Sequence, residues 1–248
     1  MEDSGIARRQ DGVYCTQCPL ARVCLPGDLD PRYLARVESA VLRQRTLATG
    51  QYLFRLGDPF SSLIAIRRGY IKSNVFDAQG SEHVLNFYMS GEIVGWDAIY
   101  MARHVSNAIA LTPATVCYLS FTEILRLAQE TPQLALRAFQ MTGRIALYTG
   151  WLTGDHNAVV RVVAFLISLS SRLEALGGAA EELDLVMSRE DIANHLRLSP
   201  ETVSRILTQL QTDGLIAVNR RKVTLLDRAR LRGMVPVTPV GFQPGSPG

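Results

Sequence analysis

The sequence predicts an α+β fold of three parts: an N-terminal β barrel or jelly roll, a long helix, and a C-terminal winged helix-turn-helix. Three observations predict it. Short apolar segments punctuated by glycine fill residues 46–119, apolar residues at helical spacing follow Thr131-Pro132, and two short helical patterns joined by a tight turn occupy Ser188 to Gly214. A chain of 248 residues has room for two folded modules. Its 47% hydrophobic and 20% charged residues make an ordinary globular composition with ample core.

The first 30 residues read as an irregular arm, broken by Pro19, Pro26 and Gly27 and carrying three cysteines. Pro31 to Leu42 is expected to be a short helix, with Leu34, Val37 and Val41 at helical spacing and Asp30 as its cap. From Thr46 the pattern changes. Gly50, Gly57, Gly69, Gly80 and Gly91 recur at intervals of 7, 12, 11 and 11 residues. Between them lie Tyr52–Phe54, Leu63–Ile66, Ile71–Phe76 and Val84–Tyr88, short strands whose regular turns argue for a closed all-β unit.

Phe121 to Gln129 follows as a short helix. Thr131 then supplies an N-cap and Pro132 a first helical residue for a long helix. Along it Leu134, Ala138, Met141, Ile145, Tyr148 and Leu152 are spaced by 4, 3, 4, 3 and 4 residues. Such a seam suits a partner helix, and it equally suits a helix lying on its own β unit. Arg144 beside the stripe and Asp155 near its end read as tuning charges or as ordinary solvated ones. Gly154-Asp155 marks a hinge, Asn157 to Leu176 a further helix closed by Gly177-Gly178, and residues 235–248, with four prolines and three glycines, a disordered tail.

The stretch from Ser188 to Gly214 is the most informative. Ser188 and Asp191 resemble a capping box, and Ile192, Ala193 and Leu196 form an apolar face. Leu198 plugs a turn, and Ser199-Pro200 caps and starts a second helix held by Val203, Ile206, Leu207 and Leu210. Its other face presents Glu201, Thr202, Ser204, Arg205 and Thr208. In a helix-turn-helix that face enters the major groove of double-stranded DNA. Arg205 suits guanine O6 and N7, Glu201 suits cytosine N4, and Ser204 can reach a base or a phosphate. After Gly214, residues 215–218 and 222–226 form a hairpin around Asn219, Arg220 and Arg221, a basic wing for phosphates. A net charge of only +3 requires any such surface to be local, and Arg189 to Arg232 holds nine basic against five acidic residues.

Cys15-x2-Cys18-x5-Cys24 places three thiols on a short backbone that can wrap one metal centre, with Cys117 the remaining candidate for a fourth ligand. Cys117 alone also reads as a small buried hydrophobe. Spacing does not separate zinc from an iron–sulfur cluster; the lack of a nearby histidine leans towards a cluster. His83, His104, His156 and His195 are scattered, with His195 expected to meet a phosphate or solvent. No phosphate-cradling glycine loop or nucleophilic triad suggests an enzyme. An electron carrier is the rival use of a cluster, though one with little need of a helix-turn-helix. Lacking a signal segment and a bilayer-spanning run, the chain is expected to be cytoplasmic, with no membrane partner.

Taken in order over about residues 13–230, these features resemble the CRP/FNR regulator superfamily. The cysteine spacing and the element Glu201-x-x-Ser204-Arg205 resemble its FNR branch, the fumarate and nitrate reduction regulators. The resemblance implies a cyclic-nucleotide-binding-like β-roll (jelly roll) and a [4Fe–4S] cluster on Cys15, Cys18, Cys24 and Cys117. It also implies a homodimer formed through the Leu134 to Leu152 seam, TTGAT-like inverted half-sites, and RNA polymerase as a further partner. The chain would then divide into a cluster arm (1–30), a β-roll sensor domain (31–130), a dimerisation helix (131–155), a winged helix-turn-helix domain (156–234) and a tail (235–248). One departure is informative. Cyclic-nucleotide binders follow Gly-Glu-x-x-Gly with Glu and later present Arg-Ser or Arg-Thr, whereas here Gly95 is followed by Trp96 and the later pair falls on Ser106-Asn107. No cyclic-nucleotide effector is expected.

Overall fold

The computed structural model describes residues 15–27, 30–152 and 154–235. The expected tail beyond Val235 lies outside the described residues. These residues divide into two compact units: residues up to Phe76 with Leu85–Gln140, and Asp77–Val84 with the residues from Met141 on.

The first unit opens with a 3-10 turn at Cys15–Gln17 and helix α1, Pro31–Ser39. Asp30 caps α1, its carboxylate accepting from the Arg32 amide at 2.9 Å. The helix is three residues shorter than expected, because Val41 and Leu42 belong to strand β1, Val41–Leu47. The polar run Arg43-Gln44-Arg45 hides this strand from any alternation of apolar and polar residues. Then come β2 (Tyr52–Phe54), β3 (Ser62–Arg68), β4 (Ile71–Phe76), β5 (Glu82–Tyr88), β6 (Ile93–Val94), β7 (Asn107–Ala110) and β8 (Ala114–Ser120). They form two four-stranded sheets, ordered β1-β8-β3-β6 and β2-β7-β4-β5. Leu47, Ile64, Ile66, Val94 and Val116 from the first sheet share one core with Leu53, Phe54, Ile71, Ala108 and Ala110 from the second. This is the expected jelly-roll arrangement.

The five glycines that marked the turns all have positive φ, from 79° to 94°. At Gly69, between β3 and β4, an added Cβ would stand 2.6 Å from the Pro113 carbonyl oxygen, so both backbone sign and space require glycine there. Helix α2 spans Phe121–Glu130, and α3 spans Pro132–Leu152.

In α3 the expected seam turns towards its own chain. Leu134 and Met141 are buried, and Ala138, Ile145 and Tyr148 are half-buried; the side chain of Leu152 lies outside the described residues. The exposed apolar side chains are instead Leu136 (57%), Phe139 (74%) and Leu147 (61%). The helix is apolar on more than one face, so heptad spacing alone did not select the exposed one.

In the second unit α4, Ala158–Ala175, has its whole stretch from Val162 to Ser170 buried. A charged residue, Arg161, interrupts its apolar run for a local reason. Its guanidinium donates to the carbonyls of His156 at 2.9 Å, Leu196 at 3.2 Å and Gly154 at 3.3 Å, tying down the segment between α3 and α4. Helices α5 (Arg189–Leu196) and α6 (Pro200–Thr212) follow, with strands β9 (Glu182–Asp184), β10 (Ile216–Asn219) and β11 (Lys222–Leu225) in a sheet ordered β10-β11-β9, and α7 (Arg228–Gly233). Arg228 pairs with Glu174, fastening α7 to α4. No helix among the described residues is long and apolar enough to cross a membrane.

Candidate nucleic-acid interface and cysteine site

Helix α5 starts with both halves of the capping box present. Ser188 Oγ accepts from the Asp191 amide at 2.9 Å, and Asp191 Oδ2 accepts from the Ser188 amide at 3.4 Å. It ends at Arg197, whose φ of 55° lets the chain reverse while the Leu198 amide still bonds Ala193 at 2.9 Å. Ser199 then caps α6, its hydroxyl accepting from the Thr202 amide at 3.2 Å.

Burial of Val203, Ile206, Leu207 and Leu210 fixes the rotation of α6 and leaves Glu201, Ser204, Arg205 and Thr208 exposed. Thr202 is half-buried and its hydroxyl lies 3.1 Å from that of Ser199, so it serves the cap as much as the outer face. Hydrogen bonds from its own backbone N–H and from Ser199 hold the Glu201 carboxyl below the usual range, as an acceptor.

The wing turn carries Arg220, at φ 57°, and Arg221, both exposed, in a shallow concavity lined also by Asp184, Asn219 and Lys222. Two contacts that the sequence did not reveal hold the wing: Leu185 N–H donates to the Arg221 carbonyl at 2.8 Å, and Val218 N–H to Gln211 Oε1 at 2.9 Å. The second runs from α6 itself, so helix and wing are set against each other. His195 corrects its expectation. It is 5% exposed, its Nε2 is 3.1 Å from the Tyr148 hydroxyl, and its ring meets Phe165 edge-on, so it is a core residue and not a solvent-facing one.

In the first unit, Cys15, Cys18, Cys24 and Cys117 are free, half-buried thiols, and all four line one cavity. The arm delivers its three by successive turns: the Cys18 amide bonds the Cys15 carbonyl at 3.2 Å and the Cys24 amide the Leu20 carbonyl at 2.9 Å. Leu25, fully buried, anchors the arm with a burial contribution of about 2 kcal/mol. Cys117 sits on β8 between Gln44 of β1 and Ala65 of β3, and Gln44 Nε2 lies 3.6 Å from its Sγ. Val37, Val41, Ala65, Ile66 and Leu119 supply apolar walls, and Arg67 a cation. Burial, with the neighbouring thiols adding, pushes Cys15 and Cys24 up to about 12, and burial raises Cys117 as well. Among the described residues no three His, Cys, Asp or Glu side chains are grouped to hold a single ion.

A family described as the Crp-like helix-turn-helix domain matches residues 160–234, and the cyclic nucleotide-binding domain matches residues 44–131. The transcriptional regulatory protein btr of Bordetella pertussis is 32% identical over 228 residues, covering 91% of this chain and 94% of that protein. The fumarate and nitrate reduction regulatory protein of Escherichia coli (strain K12) is 34% identical over 232 residues, covering 89% of this chain and 90% of its own. The chain belongs to the FNR branch of the CRP/FNR superfamily of DNA-binding transcription regulators. Its fold is shared by FixK2 of Bradyrhizobium japonicum, at a TM-score of 0.69 and 24% identity, covering 79% of this chain and 98% of that one.

The side chains of the Ser106-Asn107 pair bond within the chain. Ser106 Oγ donates to Asp97 Oδ2 at 2.9 Å, while Asn107 accepts from the Leu56 amide at 3.0 Å and donates to Asn74 Oδ1 at 3.1 Å. Nearby His104 is 5% exposed and stacked on Phe54 at 3.6 Å between ring centroids. Burial lowers its pKa from 6.5. The unfolded chain therefore takes up this proton first, and stability should fall as pH drops below about 6.5, towards the lower folded pKa. His104→Gln should flatten that part of the urea-midpoint profile between pH 7.5 and 5.5; an unchanged slope would show that His104 is not its source.

Proposed function

We propose that this regulator responds to oxygen, binding an inverted repeat of TTGAT-like half-sites as a homodimer while a [4Fe–4S] cluster occupies its cysteine site. The convergence of Cys15, Cys18, Cys24 and Cys117 on one largely apolar cavity carries this reading. These four would hold the cluster, which when bound supplies an oxygen-labile redox centre. In a four-iron cluster each thiolate has its own iron, so the sulfurs stand farther apart than around one zinc with bonds of about 2.3 Å. Four thiols lining one largely apolar cavity suit the larger group; iron and sulfide content separates it from a structural zinc site. The relatives named for fumarate and nitrate reduction support the same reading.

The residues of the chain then have defined tasks. The arm packs Leu25 and turns its thiols inward; Gln44 offers an N–H to Cys117 sulfur; apolar walls limit water. Helix α3 presents Leu136, Phe139 and Leu147 as the exposed surface for a second copy. Pairing would set two α6 helices one DNA turn apart, about 34 Å, and two weak half-site contacts become one strong one. With the arm undocked, the pair weakens and DNA is released. RNA polymerase is the further partner proposed for the DNA-bound form.

Anaerobic purification with absorbance, iron and sulfide analysis, repeated after exposure to air, tests the proposal. A brown protein with about four irons per chain that bleaches in air is expected, with operator affinity falling in parallel. A colourless protein with one zinc, unchanged by air, removes the oxygen switch and leaves the DNA-binding regulator. Cyclic AMP at millimolar concentration is expected to leave the melting temperature unmoved; an upward shift would restore a nucleotide effector.

A further inference from the structure

The arm is fastened to the rest of its unit by residues other than its cysteines. Thr16 donates its amide and hydroxyl to Glu38 Oε2 on α1, at 3.3 and 3.1 Å. Further along, Arg137 of α3 donates Nη2 to the carbonyls of Arg22 at 3.3 Å and Val23 at 3.4 Å, the two residues just before Cys24. The next turn makes room for this guanidinium. Gly27 has φ +57°, and a Cβ there would stand 3.2 Å from Arg137 Nε.

From this geometry we infer that Arg137 is the positioning residue through which the thiol-bearing arm and helix α3 hold each other. Arginine suits the task because a single Nη2 carries two N–H groups, one for each of the adjacent carbonyls, on a rigid and permanently charged plane that a flexible lysine lacks. The location matters as much as the bond. Arg137 is flanked on α3 by Leu136 and Phe139, the exposed apolar residues of that part of the helix. An arm that lets go of Arg137 therefore frees a side chain at the start of the surface proposed for the second copy. This inference rests on the proposed function for its biological meaning, but its test requires no iron.

The Arg22 carbonyl held by Arg137 belongs to a peptide bond that trypsin cuts. While docked, that bond is kept from the extended form a protease needs. In the full-length, metal-free, reduced chain, Arg137→Gln should raise cleavage after Arg22 about tenfold, the weight of charge-assisted bonds to two carbonyls. Cleavage after Arg221, in the wing, should be unchanged, and Arg137→Lys should fall between the two. Equal cleavage after Arg22 in all three chains would overturn the contact.

Mutual positioning is read separately by amide hydrogen exchange over residues 132–140. Leu25→Ala, which loosens the arm, should speed exchange there in the Arg137 chain and add nothing when Arg137 is Gln. An equal effect in both backgrounds, or none in either, would remove the link. If Arg137→Gln does not fold, Arg137→Lys carries both measurements. A zinc-containing protein would sink the oxygen reading without touching these results, and uniform cleavage would sink this inference without touching that reading.

Discussion

Arg205→Ala is expected to weaken binding to an operator by about 1–3 kcal/mol per half-site, roughly 5- to 150-fold, and to abolish discrimination at one base pair. The rotation of α6 is set by Val203, Ile206 and Leu207, all buried, so Arg205 can point only outward. In the proposed TTGAT-like half-site it has one partner of matching shape, the guanine, whose O6 and N7 accept its two parallel N–H groups. Removing it deletes a base contact and leaves the phosphate contacts in place. Titrations against duplexes with each base at that position should therefore converge for the variant, while its salt dependence stays that of the parent. Arg220→Ala on the wing should do the opposite, reducing the salt slope by about 1 and weakening all sequences alike. If Arg205→Ala weakened every duplex equally and lowered the salt slope, Arg205 would be a phosphate contact and base reading would fall to Ser204 and Glu201.

Much of this interface was legible in the sequence because its determinants are local. The Ser188–Asp191 box, the Leu198 turn and the Ser199-Pro200 start are each written within four residues, and the structure forms them all. Glycines at regular spacing marked the β turns for the same reason, since a positive φ is a property of one residue.

What the sequence hid depends on distant partners. Strand β1 is polar along its middle and is held by pairing with β8. Strand β9 is three residues long, with only Leu183 buried, and exists because β11 lies beside it. The face of α3 left exposed is decided by what covers the other face, which no periodicity records. His195 looked like a surface residue on a DNA-binding helix until Tyr148, 47 positions away, took its ring nitrogen. Arg137 reaches carbonyls more than a hundred residues earlier. Among the cysteines, spacing grouped three and left Cys117 as the remaining candidate, while the Gln44 that faces it is supplied only by the strand register.

Cys24→Ala carries the largest effect expected of any single substitution. Purified without oxygen, the variant should be colourless and lack iron, because the three remaining thiols leave one corner of a four-thiolate site open. The fold should survive: Leu25, next in sequence, keeps its full burial, and none of the three β sheets contains residue 24. Circular dichroism should therefore match the parent. Operator binding should not. If the docked arm supports the pairing of two chains, its loss converts one bivalent contact into two separate ones, and affinity falls on the order of 10²- to 10⁴-fold. The half-site contacts themselves stay intact, so the residual binding should still discriminate at the guanine that Arg205 reads. That combination, weak yet sequence-specific, separates a lost dimer from a damaged reading head. A Cys24→Ala chain that lost its iron and kept full operator affinity would show that pairing is independent of the cysteine site, and the oxygen response would then have no route to DNA.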